Sequence, residues 1–134
     1  MRIVDIEGIG PTQAARLTEA GVSSTDDLLA RAGPRAGRAA LAEATGISPK
    51  LLLEWVNLAD LMRIKGIGEE FSDLLEAAGV DSPAELAQRN AASLATTFQE
   101  LDAARPNVVR RVPSEETVAG WIEQARALPK VVEH

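Results

Sequence analysis

The stretch IEGIGPTQAARLTEAGV, Ile6 to Val22, returns 58 residues later as IKGIGEEFSDLLEAAGV, Ile64 to Val80. Both open with Gly-Ile-Gly, run through a helical stretch carrying a Leu (Leu17, Leu75), and close on Ala-Gly-Val. A chain of 134 residues that repeats itself on this scale builds one supersecondary unit twice. At the same offset of 58, Gly21 matches Gly79, Ser24 matches Ser82 and Leu28 matches Leu86. Later the offset is 66, pairing Ser48 with Ser114 and Trp55 with Trp121. The second copy therefore holds eight extra residues, placed near 102–113, where Pro106 and Pro113 break the helical pattern. This gives a first repeat over 1–62 and a second over 63–134. The helical, apolar junction NLADLMRI, Asn57–Ile64, leads us to expect that the two pack as one unit.

The local signals are helical. Ser24-Thr25-Asp26-Asp27 and Ser82-Pro83-Ala84-Glu85 place a hydroxyl cap before an acid at the third helical position. Pro49 and Pro83 sit where a first-turn proline gives up no hydrogen bond. Gly21, Gly46 and Gly79 each follow a helical stretch and read as C-terminal caps. LLLEWVNLADLM (Leu51–Met62) and TVAGWIEQARAL (Thr117–Leu128) are amphipathic at helical spacing. RIV (Arg2–Val4) and NVVRRV (Asn107–Val112) are too short and isolated to build a sheet. The pattern predicts an all-α chain of about ten short helices in a compact pseudo-symmetric body. Each half would hold two hairpins. One turns on Gly8–Gly10 or Gly66–Gly68, the other on Thr45–Ser48 or the stretch Arg110–Ser114.

A Gly-Ile-Gly turn reverses the chain in very few residues, with Ile9 or Ile67 plugging the space beneath. The helix that follows at once presents unsatisfied N–H groups, an anion-binding crown assisted by the helix dipole. GIGPTQAARL, Gly8–Leu17, resembles the helix-hairpin-helix motif of DNA repair proteins and polymerases. The resemblance implies backbone amides of Gly8, Gly10 and Thr12 on a DNA phosphate, without sequence reading, with Arg16 on the same helix face. Gly8, Ile9, Gly10, Thr12 and Arg16 are thus the candidate nucleic-acid contacts. Over nearly its whole length the chain also resembles a bacterial family catalogued as domain of unknown function 4332. SPKLLLEWVNLADLMRIKGIGEEFSDLLEAAGV (Ser48–Val80) and VVRRVPSEETVAGWIEQARAL (Val108–Leu128) carry that likeness, which implies the tandem hairpin fold and no particular activity.

The two turns are unequal. Pro11-Thr12 leaves the first crown neutral, whereas Glu69 and Glu70 put two carboxylates in the second, where they suit the dipole but repel phosphate. Arg63 and Lys65, just before Gly66, Ile67 and Gly68, partly offset them and make this a secondary candidate. Arg110 and Arg111 form a third, basic-loop candidate beside Ser114, opposed by Glu115 and Glu116. Arg31, Arg35 and Arg38 read as a helix surface. Trp55 and Trp121 read as core, and the acidic pairs as dipole matching.

Composition narrows the function. Six basic and eight acidic residues fall in 1–62, eight and twelve in 63–134, for a net charge of −6. That weighs against a broad electrostatic grip on DNA or an anionic membrane. Aromatics make up 3% with no Tyr, which poorly supplies base stacking. No Cys is present, consistent with a reducing cytoplasm and without thiolate metal sites, and no apolar run approaches a membrane span. Gln13 and Phe71 occupy the third-glycine position of a dinucleotide fingerprint, which is therefore excluded. The single His, His134, supports no catalytic set and receives no role. The expectation is a non-enzymatic binding module without cofactor or metal. Its partner is nucleic acid, bound weakly through the first hairpin. The alternative is a protein-interaction adaptor in which the hairpins are purely structural.

Overall fold

The computed structural model describes residues 1–6, 8–105 and 111–134. Among these the chain is all-α, with eight α-helices, a short 3-10 turn over Ile3–Asp5 and no strand. The count among the described residues is eight rather than about ten, and one of the missing helices is the first segment, where Ile3–Asp5 forms only that 3-10 turn. No helix among the described residues is long and apolar enough to cross a membrane.

The chain divides into two compact units, Met1–Asp60 with Lys130–His134, and Leu61–Pro129. The division differs from the repeat boundary at its far end, since the last five residues cluster with the first unit.

In the first unit, α1 (Pro11–Glu19), α2 (Thr25–Ala32), α3 (Arg35–Thr45) and α4 (Pro49–Leu61) follow in short succession. Helix α1 begins on a proline at its first position, which has no N–H to leave unpaired. It buries Ala14 and Leu17, one turn apart. Its end is a Schellman cap: Val22 N–H donates to Leu17 C=O at 2.8 Å and Gly21 N–H to Thr18 C=O at 3.0 Å. The Arg31 guanidinium, reaching back from α2, donates to the Ala20 carbonyl at 2.9 Å. Ser24 starts α2 through a capping box, its hydroxyl accepting from Asp27 N–H while the Asp27 carboxylate accepts from Ser24 N–H. Ser48 caps the next helix by accepting from Leu51 N–H at 3.1 Å. The start of the chain is tied to the α1–α2 connection, where Ile3 N–H donates to Ser23 C=O and Thr25 N–H to Met1 C=O.

The second unit repeats these devices in α5 (Glu69–Ala77), α6 (Pro83–Ala87), α7 (Ala91–Ala104) and α8 (Glu115–Ala127). Val80 N–H donates to Leu75 C=O at 2.8 Å, Gly79 N–H to Glu76 C=O at 3.0 Å, and Arg89 to the Ala78 carbonyl at 3.2 Å. Ser82, Asn90 and Ser114 cap α6, α7 and α8. Helix α8 buries Val118, Trp121, Ile122 and Ala125, a single stripe at spacings of three and four. That stripe packs with Ile64, Ile67, Leu75 and Phe98 in the unit's core. Both tryptophans are core residues, Trp55 2% and Trp121 3% exposed.

The arginine run around Pro34 is not a uniform surface. Arg31 and Arg35 are exposed, but Arg38 is buried. Its guanidinium donates to the carbonyls of Ala32 and Gly33 and, at 2.6 Å, to that of Glu133. The chain's last residues cover it, and no periodicity in α3 announces that cover.

Candidate functional site

Each Gly-Ile-Gly turn is held by the same short ladder. Ile6 N–H donates to Ile3 C=O and Ile9 N–H to Ile6 C=O, both at 3.1 Å. Ile64 to Leu61 and Ile67 to Ile64 repeat the pair at 3.1 Å. The first glycine of each turn has positive φ, +92° at Gly8 and +99° at Gly66, a conformation L side chains rarely adopt. A tryptophan lies beneath: a Cβ on Gly8 would stand 3.5 Å from Trp55 Nε1, and one on Gly66 3.1 Å from Trp121 Nε1. Ile9 and Ile67 are buried with their N–H groups already donated within the turn, so their side chains and amides build it.

The second glycines are different. Gly10 (φ −83°) and Gly68 (φ −110°) have backbones any residue can adopt, and a Cβ on either would meet nothing within 4 Å. The fold does not require glycine at these two N-cap positions. Neither helix they begin has a side-chain cap. The other six helices do have an acceptor at their first turn. Ser24, Ser48, Ser82, Asn90 and Ser114 serve five, and Glu133 accepts from Arg35 N–H at 3.1 Å for α3. Among the described residues, α1 and α5 thus start without a side-chain acceptor, each behind a glycine with open space where a side chain would stand. Gln13, placed where a capping-box side chain would reach back, does not do so, and its Oε1 is buried without a hydrogen-bond partner.

The chemistry around the two openings diverges. At α1 the first helical residue is a proline, no acid lies in the first turn, and Thr12 is exposed. Arg16 follows one turn later on the same face, exposed. It lines a shallow depression with Glu19, Ala20, Ala44, Thr45 and Gly46, where the ends of α1 and α3 meet. At α5, Glu69 and Glu70 occupy the first turn and line a depression with Gly66, Gly68 and Phe71. The position matching Arg16 is Leu74, which is buried. Of the two cations before this turn, Arg63 donates to the Pro129 carbonyl at 3.1 Å. Lys65 is exposed, and its backbone is held on both sides by Gln124, whose Oε1 accepts from Lys65 N–H at 2.9 Å and whose Nε2 donates to Lys65 C=O at 3.2 Å. Sequence reasoning missed Gln124 because its counterpart at offset 66 is Leu58, so the repeat gives no signal there.

In the basic-loop candidate, Arg110 lies outside the described residues. Arg111 is exposed and lines a separate depression with Phe71, Val112, Pro113, Ser114 and Thr117. The Ser114 hydroxyl there is occupied as the α8 cap, accepting from Thr117 N–H at 3.2 Å.

A family model described as a domain of unknown function, DUF4332, matches residues 7–128. No curated protein and no solved structure matches the chain.

Proposed function

The chain belongs to the DUF4332 family, and from that premise we propose that it is a non-enzymatic binding module of tandem helix-hairpin-helix units. Its first unit holds a nucleic-acid phosphate on the backbone amides at the start of α1. The observation that carries this reading is the open N-cap at Gly10, a glycine the fold does not need; of the two helix starts left uncapped among the described residues, it is the one without a carboxylate in its first turn. Small N-cap residues let an anion approach the helix amides closely. Arg16, a turn along the same face, supplies the one side-chain cation we assign to the contact. Binding of this kind reads no sequence.

The test is fluorescence anisotropy of labelled duplex and single-stranded DNA. Neutralising one or two phosphates lowers affinity roughly 3- to 12-fold between 50 and 200 mM salt. Gly10→Val, which the open space accommodates, and Arg16→Glu should each abolish binding. Unchanged affinity in both variants would remove the hairpin from the mechanism. The net charge of −6 and the carboxylates on α5 favour a second reading, a protein adaptor with both hairpins structural. That reading expects no DNA binding at low salt.

A further inference from the structure

The tail residues Lys130–His134 belong to the first unit, and they are seated there by specific contacts. Glu133 N–H donates to Gly33 C=O at 2.9 Å, and Arg38 donates to Glu133 C=O at 2.6 Å. The Glu133 carboxylate accepts from Arg35 N–H at the otherwise uncapped start of α3. Val132 is 1% exposed. Gly33 permits the approach, since a Cβ there would collide with the Val131 carbonyl. His134 Nε2 lies 2.9 Å from Asn57 Oδ1 on α4.

This is a built recognition slot. Arg38 is a cation 6% exposed, and burial lowers its pKa from the ordinary arginine value. Two of its hydrogen bonds go to the end of α2 and its shortest goes to the tail. Two hydrogen bonds fix the Glu133 backbone, Val132 is buried beside it, and a helix N-terminus takes the Glu133 carboxylate. We infer that the α2–α3 junction is a docking site whose one occupant is the chain's own segment Val131–Glu133, held as a separable ligand that the slot recognises through an aliphatic residue followed by Glu. The inference is independent of the phosphate reading.

The experiment uses a labelled peptide Lys-Val-Val-Glu-His, residues 130–134, against three full-length proteins: the parent chain, Glu133→Ala, and Val132→Asp with Glu133→Ala. Far-UV circular dichroism verifies that each is folded. The double variant, with its tail unseated, should bind the peptide in the micromolar to submillimolar range. The parent should bind at least about tenfold more weakly, because a tethered tail competes at an effective concentration on the order of millimolar. A peptide with Ala in place of the Glu should lose roughly tenfold or more, the loss expected for a charge-assisted hydrogen bond. If the double variant unfolds, the same comparison is read on Glu133→Ala by hydrogen exchange at the Arg35 amide. Its protection should fall in the variant and return with peptide. Equal binding to parent and variants, indifference to the Glu, or no binding up to about 1 mM would overturn the inference.

Discussion

Gly66 sits directly on Trp121: a Cβ on the glycine would stand 3.1 Å from the indole Nε1, with φ at +99°. The equivalent distance from Gly8 to Trp55 is 3.5 Å, an ordinary contact. Both substitutions to Ala are strained by the backbone, at about 1–3 kcal/mol, and Gly66→Ala adds a tight contact in a packed core. Thermal or urea unfolding should rank Gly66→Ala as more damaging than Gly8→Ala. Equal loss would mean the indole moves aside freely.

Gly10→Ser and Gly68→Ser should act in the opposite direction. Serine fills the vacant cap without strain, and each variant should gain a few tenths of a kcal/mol in denaturant unfolding. If α1 holds phosphate, Gly10→Ser also weakens DNA binding while it stabilises the fold, a separation of the two effects that a structural lesion cannot produce.

The second turn can be rewritten after the first. Glu69→Pro with Glu70→Thr removes both carboxylates, giving up about 0.3–1 kcal/mol each of dipole matching. DNA affinity should rise several-fold in anisotropy titrations on the phosphate reading. It should stay flat if both hairpins are architectural.

Asp27 predicts an acid-sensitive step. Its carboxylate accepts from the N–H groups of Ser23 and Ser24, and these bonds, that to the Ser23 backbone foremost, hold its pKa below the usual 3.8. A depressed folded-state pKa gives stability that is present above the unfolded value and lost as pH falls through the folded one. Stability should therefore drop as pH falls from about 4 toward 2. Asp27→Asn should be less stable at neutral pH and show a shallower slope in that window. Parallel slopes for the two proteins would disprove the linkage.

Arg31→Ala and Arg89→Ala should each lower stability by about 0.5–1.5 kcal/mol, because each leaves the last carbonyl of a helix without its guanidinium. Arg89 also pairs with Glu85 at 3.2 Å. Urea unfolding should show the larger loss for Arg89→Ala and a double variant close to the sum.

Much of this was readable from the repeat. The turns, the Schellman glycines Gly21 and Gly79, the serine caps and the paired tryptophans recur at fixed offsets. A feature needed twice leaves two marks. Arg31 and Arg89 carried the same signal, 58 residues apart, and their shared role was legible in principle. What occurs once left no mark. Arg38 sits in a basic run that reads as solvated, yet its guanidinium is held by the Ala32 and Gly33 carbonyls and by that of a residue 95 positions away. Gln124 and Glu133 are polar residues in exposed patterns whose partners are backbone groups, and backbone groups have no sequence signature. The contrast between Arg16 and buried Leu74 at matched positions explains why the two turns differ beyond their first-turn charges.

The tail's return also sets an order of events. All the residues of the second unit are contiguous, so it can assemble from a single stretch of chain. The first unit cannot be completed that way, because the amide of Arg35 waits for a carboxylate 98 residues downstream. Closing so long a loop is slow relative to local helix pairing. A nascent chain would therefore hold α2 and α3 with Arg38 uncovered until synthesis passes Glu133. Of these two units, the one whose helices come first in the sequence is the later to be completed.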